Sequence, residues 1–412
     1  MSNWLKVYGN RRVLCLLGLG FSSGLPLALT RSTLQAWLMT EKVDLAVIGM
    51  FSLVGLPYVL KVLWAPLMDR FTPPWLGRRR GWIIALQILL VISIFGLGHS
   101  SPASFPAGVA AAALVTAFFS ASQDIAIDAY RADVLREAEL GPGAATGVVG
   151  YRVAMLVSGA LALIASDHLP WQSVYGVIAA IMLVCVVFTL IAPEPEVVAT
   201  PPKDLKEAVW GPLTAYFKRS GAIEMLVFIV LYKLGYDLAG AMTTPFLLDI
   251  GFSRTDVGTV NKAFGLLSSI AGSLIGGGVV ARIGINRSLW VFGIFQAISN
   301  LSFTGVALVG KSYPAMVAAI GIENLSGGMG NAAFIAFLMS LCDKRFTATQ
   351  YALLTSFMAA TPILAGAPAG EMANMLGWAP FFAVSTIGGI PGILLLARFA
   401  PWNGKRSVAL VK

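Results

Sequence analysis

The stretch APLMDRFTPPWLGRRRGW, residues 65–82, ends one apolar run, crosses a polar turn with three consecutive arginines and starts another apolar run. A second stretch, GGVVARIGINRSLW at 277–290, does the same. Close to half the chain separates them. A weak copy at that spacing reads as two related halves, each crossing a membrane several times, which is a transporter architecture.

The rest of the chain agrees. Its 412 residues are 57% hydrophobic and only 12% charged, with a mean hydropathy of +0.79. A soluble domain carries about twice that share of charge. Twelve apolar segments of roughly spanning length lie near 13–38, 45–69, 82–100, 106–135, 143–166, 171–192, 221–248, 255–281, 288–309, 313–342, 347–371 and 378–400. They are helix-length, unlike the alternating ten-residue segments of a barrel. The expected fold is therefore an all-α integral membrane protein of twelve transmembrane helices in two six-helix halves. The one long interior connection divides it into an N-terminal bundle at 1–192, a linker at 193–220 and a C-terminal bundle at 221–412. Within the linker, Leu205, Val209, Leu213 and Phe217 fall at helical spacing, which predicts a short helix on the membrane surface.

Lysine and arginine set the orientation. With a cytoplasmic N-terminus, the segments on that side hold 20 of the 29 basic residues, and the opposite face holds Lys42, Arg254 and Lys311. Both termini are expected in the cytoplasm. This distribution explains the net charge of +9 without a nucleic-acid partner. The first span has no small-residue cleavage site after it and reads as retained.

Several functions are excluded. Cys15, Cys185 and Cys342 sit in or at the ends of apolar runs with no metal spacing, and His99 and His168 fall in short polar connections. Nothing suggests a metal or cofactor, and no Ser–His, His–acid or ligand cluster suggests an enzyme. GVALVGKS at 305–312 matches the phosphate-loop pattern, but it ends a membrane span instead of following a strand, so it reads as a chance match.

Charge within the spans carries the functional signal. Arg31, Lys61, Arg131, Arg152, Lys233 and Lys262 lie inside apolar segments, as do Asp124, Asp128, Asp133, Asp237 and Glu323. Each lone charge at mid-helix costs about 2.5–3.5 kcal/mol, so these groups are expected to face a cavity or one another. Asp124 and Asp128 share a helix face at i, i+4, as do Lys233 and Asp237, which could pair. Like-charge repulsion and lost hydration both favour a protonated carboxyl, as a proton carrier requires. With histidine confined to loops, Asp124, Asp128, Glu323 or Asp237 is the expected carrier. Gln35, Trp64, Tyr151, Asn261 and Asn324 join Arg31, Lys61, Arg152, Lys233 and Lys262 on the expected substrate-facing list. Trp37 and Trp64 could stack on a sugar or anchor a span end. Arg131 and Asp133 lie nearer the cytoplasmic rim and are expected at the gate.

DRFTPPWLGRRRG at 69–81 resembles the loop 2–3 signature of the major facilitator superfamily. The resemblance implies that Asp69 and Arg70 latch the cytoplasmic side, with Arg78, Arg79 and Arg80 setting topology or joining the latch. The second copy has Ala281 where the acid would stand, implying a one-sided latch. FSSGLPLALTRSTLQAW (21–37), SASQDIAIDA (120–129), GYRVAMLVSGALAL (150–163), LYKLG (231–235), ENLSGGMGNAAFIAFLM (323–339) and FTATQYALL (346–354) add detail. With residues 61–82 they resemble the AmpG-type muropeptide permeases, a bacterial branch of that superfamily, along nearly the whole chain. The resemblance implies proton-driven import of anhydro-muropeptides across the bacterial inner membrane, for peptidoglycan recycling, with a link to β-lactamase induction. A monomer needing only substrate, protons and the bilayer is expected. A carrier of another anionic solute, similar to acetyl-CoA transporters, is the alternative.

Overall fold

The computed structural model describes residues 7–43, 51–74, 76–195 and 202–404, and those residues are helical without a strand. Span one runs over Arg11–Thr40, span three over Arg78–Gly98, span four over Pro106–Val134, span five over Glu137–Ser166 and span six over Trp171–Ile191. Spans seven, eight and nine cover Ala222–Asp249, Val257–Ile283 and Ile285–Val309, while spans eleven and twelve cover Thr347–Leu376 and Trp378–Phe399. These ten are long and apolar enough to cross a membrane. Span ten, Tyr313–Ser340, is also long enough at 28 residues.

Span two departs from the expected continuous helix. Residues 44–50 lie outside the described residues, and Phe51–Arg70 follows in short pieces, alternating 3₁₀ turns with α-helix. Pro57 and Pro66 remove backbone donors here, so the segment cannot sustain one ladder. Spans one, five and eight carry π-helical turns at Leu29–Thr33, Val157–Leu161 and Val257–Phe264. In span one the turn follows Pro26, and the Thr30 hydroxyl donates to the carbonyl of Pro26 at 2.9 Å. Such single-turn bulges concentrate where a helix must aim side chains, and Arg31 and Asn261 lie within two of them.

Small residues set the packing within each half. A Cβ on Gly20 would lie 2.1 Å from the Gly147 carbonyl, and one on Gly150 would lie 2.0 Å from that of Leu17, so spans one and five meet backbone to backbone. In the other half, Gly328 of span ten meets Ser269 of span eight in the same way. In lipid, this contact is what holds helices together, because the surrounding chains are as apolar as leucine.

Spans two, four and five of the first half meet spans eight and eleven of the second. The hydrogen bonds that join the halves cluster at the face carrying the basic turn 76–81, termed here the basic face. Among the described residues none joins them at the opposite end. The linker helix, Leu205–Phe217, lies under this junction and packs on both spans two and eleven. It buries Ala208, Pro212 and Tyr216 against the protein, while Leu205, Val209 and Phe217 of the expected apolar stripe stay exposed, with Trp210 beside them.

Candidate functional site

Span four carries the first carboxylates. Ser23 of span one donates to Asp124 Oδ1 at 2.5 Å. One turn on, Asp128 faces two cations, Lys61 Nζ at 3.9 Å and Arg131 Nη2 at 3.4 Å. The broken geometry of span two brings Lys61 there, at the start of a 3₁₀ turn with its side chain buried. Two aspartates that share a face thus have different partners, a hydroxyl for one and two cations for the other. Arg131, expected at the gate, pairs with Asp128. Trp64 donates to Ser122 at 3.0 Å and packs on Phe118. Arg31 sits over the Tyr58 ring at 5.7 Å, with the exposed Gln35 one turn on. Trp37 is buried and stacked on Trp171, which leaves its ring unavailable to a ligand.

The second half mirrors this with different residues. Glu323 of span ten is buried, accepts from Asn324 at 2.6 Å and faces the Tyr236 hydroxyl of span seven. Lys233 does not close an ion pair with Asp237 within 4.0 Å. Its Nζ lies over the Tyr236 ring at 4.8 Å, a cation–π contact, while Asp237 remains within electrostatic reach. Arg152 of span five faces Lys233 and Tyr236 across the boundary between the halves, with its neighbour Tyr151 on the Asp124 side. Asn261 donates to Thr244 at 3.2 Å and so holds span eight to span seven. The Lys262 side chain lies outside the described residues.

At the basic face Asp69 is fully buried. Its carboxylate accepts from Arg78 and Arg79 at 3.0 Å each, and from the first turn of span eleven: Ala348 N at 3.2 Å, Thr349 N at 2.8 Å and Thr349 Oγ1 at 2.7 Å. An anion at the N-terminus of a helix from the opposite half satisfies orphan donors and meets the positive end of the dipole. Arg79 also bonds Asp133 at 2.8 Å, and Asp133 accepts from Thr347 at 2.7 Å. Arg78 reaches the Arg345 carbonyl at 3.0 Å, and Lys344 donates to the Ala132 carbonyl. Arg70 takes no part, since its guanidinium lies over the Phe71 ring. The arginine partners of Asp69 are thus nine and ten residues downstream, past the left-handed Leu76 and Gly77. At the second copy there is no counterpart. Ala281 lines a cavity of about 1070 Å³ together with Arg287, Lys344 and Trp402.

Sequence reasoning missed Ser23, Tyr58, Tyr236, Thr347 and Thr349. All are neutral, and none carries a signal until the fold sets a charge beside it.

Comparison with known proteins agrees with this architecture. The family model described as Major Facilitator Superfamily matches residues 16–366. The anhydromuropeptide permease of Escherichia coli (strain K12) is 48% identical over 397 residues, which is 96% of this chain and 81% of that one. A putative transporter, AmpG 4, of Rickettsia conorii is 32% identical over 401 residues, 95% of this chain and 97% of that one. Among solved structures, the proton:xylose symporter XylE superposes with a TM-score of 0.72 at 10% identity, over 99% of this chain and 98% of that chain, a likeness of fold alone. The chain therefore belongs to the major facilitator superfamily, in its AmpG-type permease branch.

Proposed function

We propose that this protein imports cell-wall muropeptides, N-acetylglucosaminyl-1,6-anhydro-N-acetylmuramyl peptides, from periplasm to cytoplasm together with protons, for peptidoglycan recycling. The observation that carries the reading is the lining of the boundary between the halves. Lys61, Arg152 and Lys233 stand at membrane depth beside Asp124, Asp128 and Glu323. The 48% identity with a protein named anhydromuropeptide permease supports the substrate class.

The chemistry follows from that lining. A muropeptide brings two sugars and several carboxylates. Lys61, Arg152 and Lys233, with Arg31 at the rim, balance the carboxylates, while Gln35, Tyr151, Asn261 and Asn324 offer hydrogen bonds to sugar hydroxyls and amides. Asp124 and Glu323 carry the protons. The closest partner of Asp124 is a hydroxyl and that of Glu323 an amide, so each exchanges its proton without breaking an ion pair. Asp128 serves instead to hold Lys61 and Arg131.

Alternating access uses residues 1–192 and 221–412 as the two moving bodies, with 193–220 as the tether. The basic face is the cytoplasmic one, both termini lie there, and the protein acts as a monomer. Asp69, Arg78, Arg79 and Asp133 close that face, and release of span eleven opens it. The test is uptake of labelled anhydro-muropeptide by the purified protein in proteoliposomes, with and without an inward proton gradient. Gradient-dependent accumulation is expected, and no uptake at any stem-peptide length would sink the reading.

A further inference from the structure

The buried polar groups of the two halves differ in one respect. Gln87 of span three is fully buried and fully bonded: Nε2 donates to Ser22 Oγ at 2.9 Å, and Oε1 accepts from Thr189 at 2.9 Å. Gln296 of span nine stands within one residue of the offset that relates Trp290 to Trp82. It is 3% exposed, yet neither Oε1 nor Nε2 meets a partner among the described residues. One turn on, Asn300 is fully buried. Its Nδ2 donates to the Gly235 carbonyl at 3.0 Å, and its Oδ1 meets no described partner. Another turn on, the buried hydroxyl of Thr304 is in the same position. Buried amides are costly without partners, and in a polar site the usual partner is ordered water.

This row meets span ten one turn from Glu323: Ser326 Oγ bonds Ser299 Oγ at 3.0 Å and donates to the main-chain carbonyl of Glu323 at 2.8 Å. Glycines on span ten let Tyr236 and Gln296 press against its backbone. A Cβ at Gly327 would lie 2.1 Å from the Tyr236 hydroxyl, and one at Gly330 would lie 2.5 Å from the Gln296 amide. At 1.5 Å per residue, Gln296 lies about 16 Å and Glu323 about 26 Å from the basic-face ends of their helices. The row therefore descends from Glu323 toward the basic face. Below it, the Tyr232 ring stacks on Phe334 at 5.0 Å, and its hydroxyl donates to the Leu289 carbonyl at 2.8 Å, closing the way out.

We propose that Gln296, Asn300, Ser299 and Ser326 bind a short file of internal water that carries the proton released by Glu323 toward the basic face, apart from the substrate path. The proposal rests on Glu323 as a proton carrier. On release, the O–H bond of its carboxyl breaks, the electron pair stays on the carboxylate, and the proton passes through the water to the bulk. Lys233 and Tyr236 of span seven and Asn324 of span ten face Glu323, and Asp237 of span seven and Arg152 of span five act on Lys233 and Tyr236 in turn. The Tyr232–Phe334 pair is the closure between file and bulk.

The test compares Gln296→Met, Gln296→Asn and Glu323→Gln in proteoliposomes, reading proton movement with an internal pH dye and exchange of bound substrate by counterflow. Gln296→Met should slow substrate-driven proton uptake at least tenfold and leave counterflow within twofold, and Gln296→Asn, which keeps an amide, should recover part of the loss. Pulsed hydroxyl-radical labelling of the wild type in ¹⁸O water should mark Tyr232 with internal oxygen before bulk exchange, and the mark should vanish in Gln296→Met. Wild-type proton flux in Gln296→Met, or no internal mark in the wild type, overturns the water file. If Glu323→Gln loses proton movement while Gln296→Met keeps it, the file alone falls. If Glu323→Gln keeps proton movement, the reading of Glu323 falls with it.

Discussion

Replacing Asp69 by asparagine tests the gate most directly. The carboxylate binds three groups of the opposite half, the N–H groups of Ala348 and Thr349 and the Thr349 hydroxyl, along with two arginines of its own half. Asparagine keeps one acceptor and turns the other into a donor, which then confronts the donors of Thr349. Two charge-assisted bonds between the halves are lost, at about 1.5–3 kcal/mol each. Arg79 retains Asp133, so the N-terminal half keeps part of its pairing. Taking the lower figure, the closed state at the basic face loses about 3 kcal/mol, which is roughly a hundredfold shift at 1.4 kcal/mol per decade. Spin labels on cysteines at Ala138 and Arg287, in a background lacking the three native cysteines, report the separation of the halves at that face. Asp69→Asn should move most of the distance distribution to longer values, and Thr349→Val, which loses only one hydroxyl, should move it by about tenfold in population. An Asp69→Asn distribution that overlays the wild type, in protein of unchanged thermal stability, refutes the latch.

Three further predictions separate roles within the site. Asp124→Asn should abolish uphill accumulation while counterflow persists, whereas Asp128→Asn should impair both, because it leaves Lys61 and Arg131 without their anion; identical behaviour of the two variants would contradict their different partners. Lys233→Met should weaken binding of the anionic substrate about tenfold in a direct binding assay, and unchanged affinity with a lowered melting temperature would make the residue structural. Gly150→Ala places a methyl 2.0 Å from the Leu17 carbonyl and should cost about 1–3 kcal/mol of stability, read as a lower melting temperature in detergent.

Much of the fold was legible because the bilayer simplifies the problem. A backbone in lipid must bond within itself, so each long apolar run becomes a helix and each basic turn marks one side. Apolar composition alone predicts one helix for span two, where Pro57 and Pro66 divide it. In the linker helix, spacing alone shows the Leu205 stripe, expected on the membrane surface, and not the face that meets the protein. The opposite stripe, Ala208, Pro212 and Tyr216, fits the protein because small and flat residues allow close approach, which leaves the bulky stripe free.

The candidate site shows the same division. Charges inside apolar segments single out Asp124, Asp128, Lys61, Lys233 and Glu323 as candidates, because an ionisable group at that depth is costly. Sequence spacing also offered Lys233 and Asp237 as a pair and Asp69 with Arg70 as a latch. Neither local pair forms. Lys233 turns onto Tyr236, one turn on in the same helix, and Asp69 binds Arg78, Arg79 and the start of span eleven some 280 residues on. The number of membrane crossings, the basic turns and the residue types that face the interior follow from the cost of transfer into lipid, residue by residue. Which carboxylate meets a cation, which meets a hydroxyl and which caps a helix of the other half is set by the folded arrangement. Those outcomes depend on contacts of a few ångströms between distant helices, and no single helix carries that information.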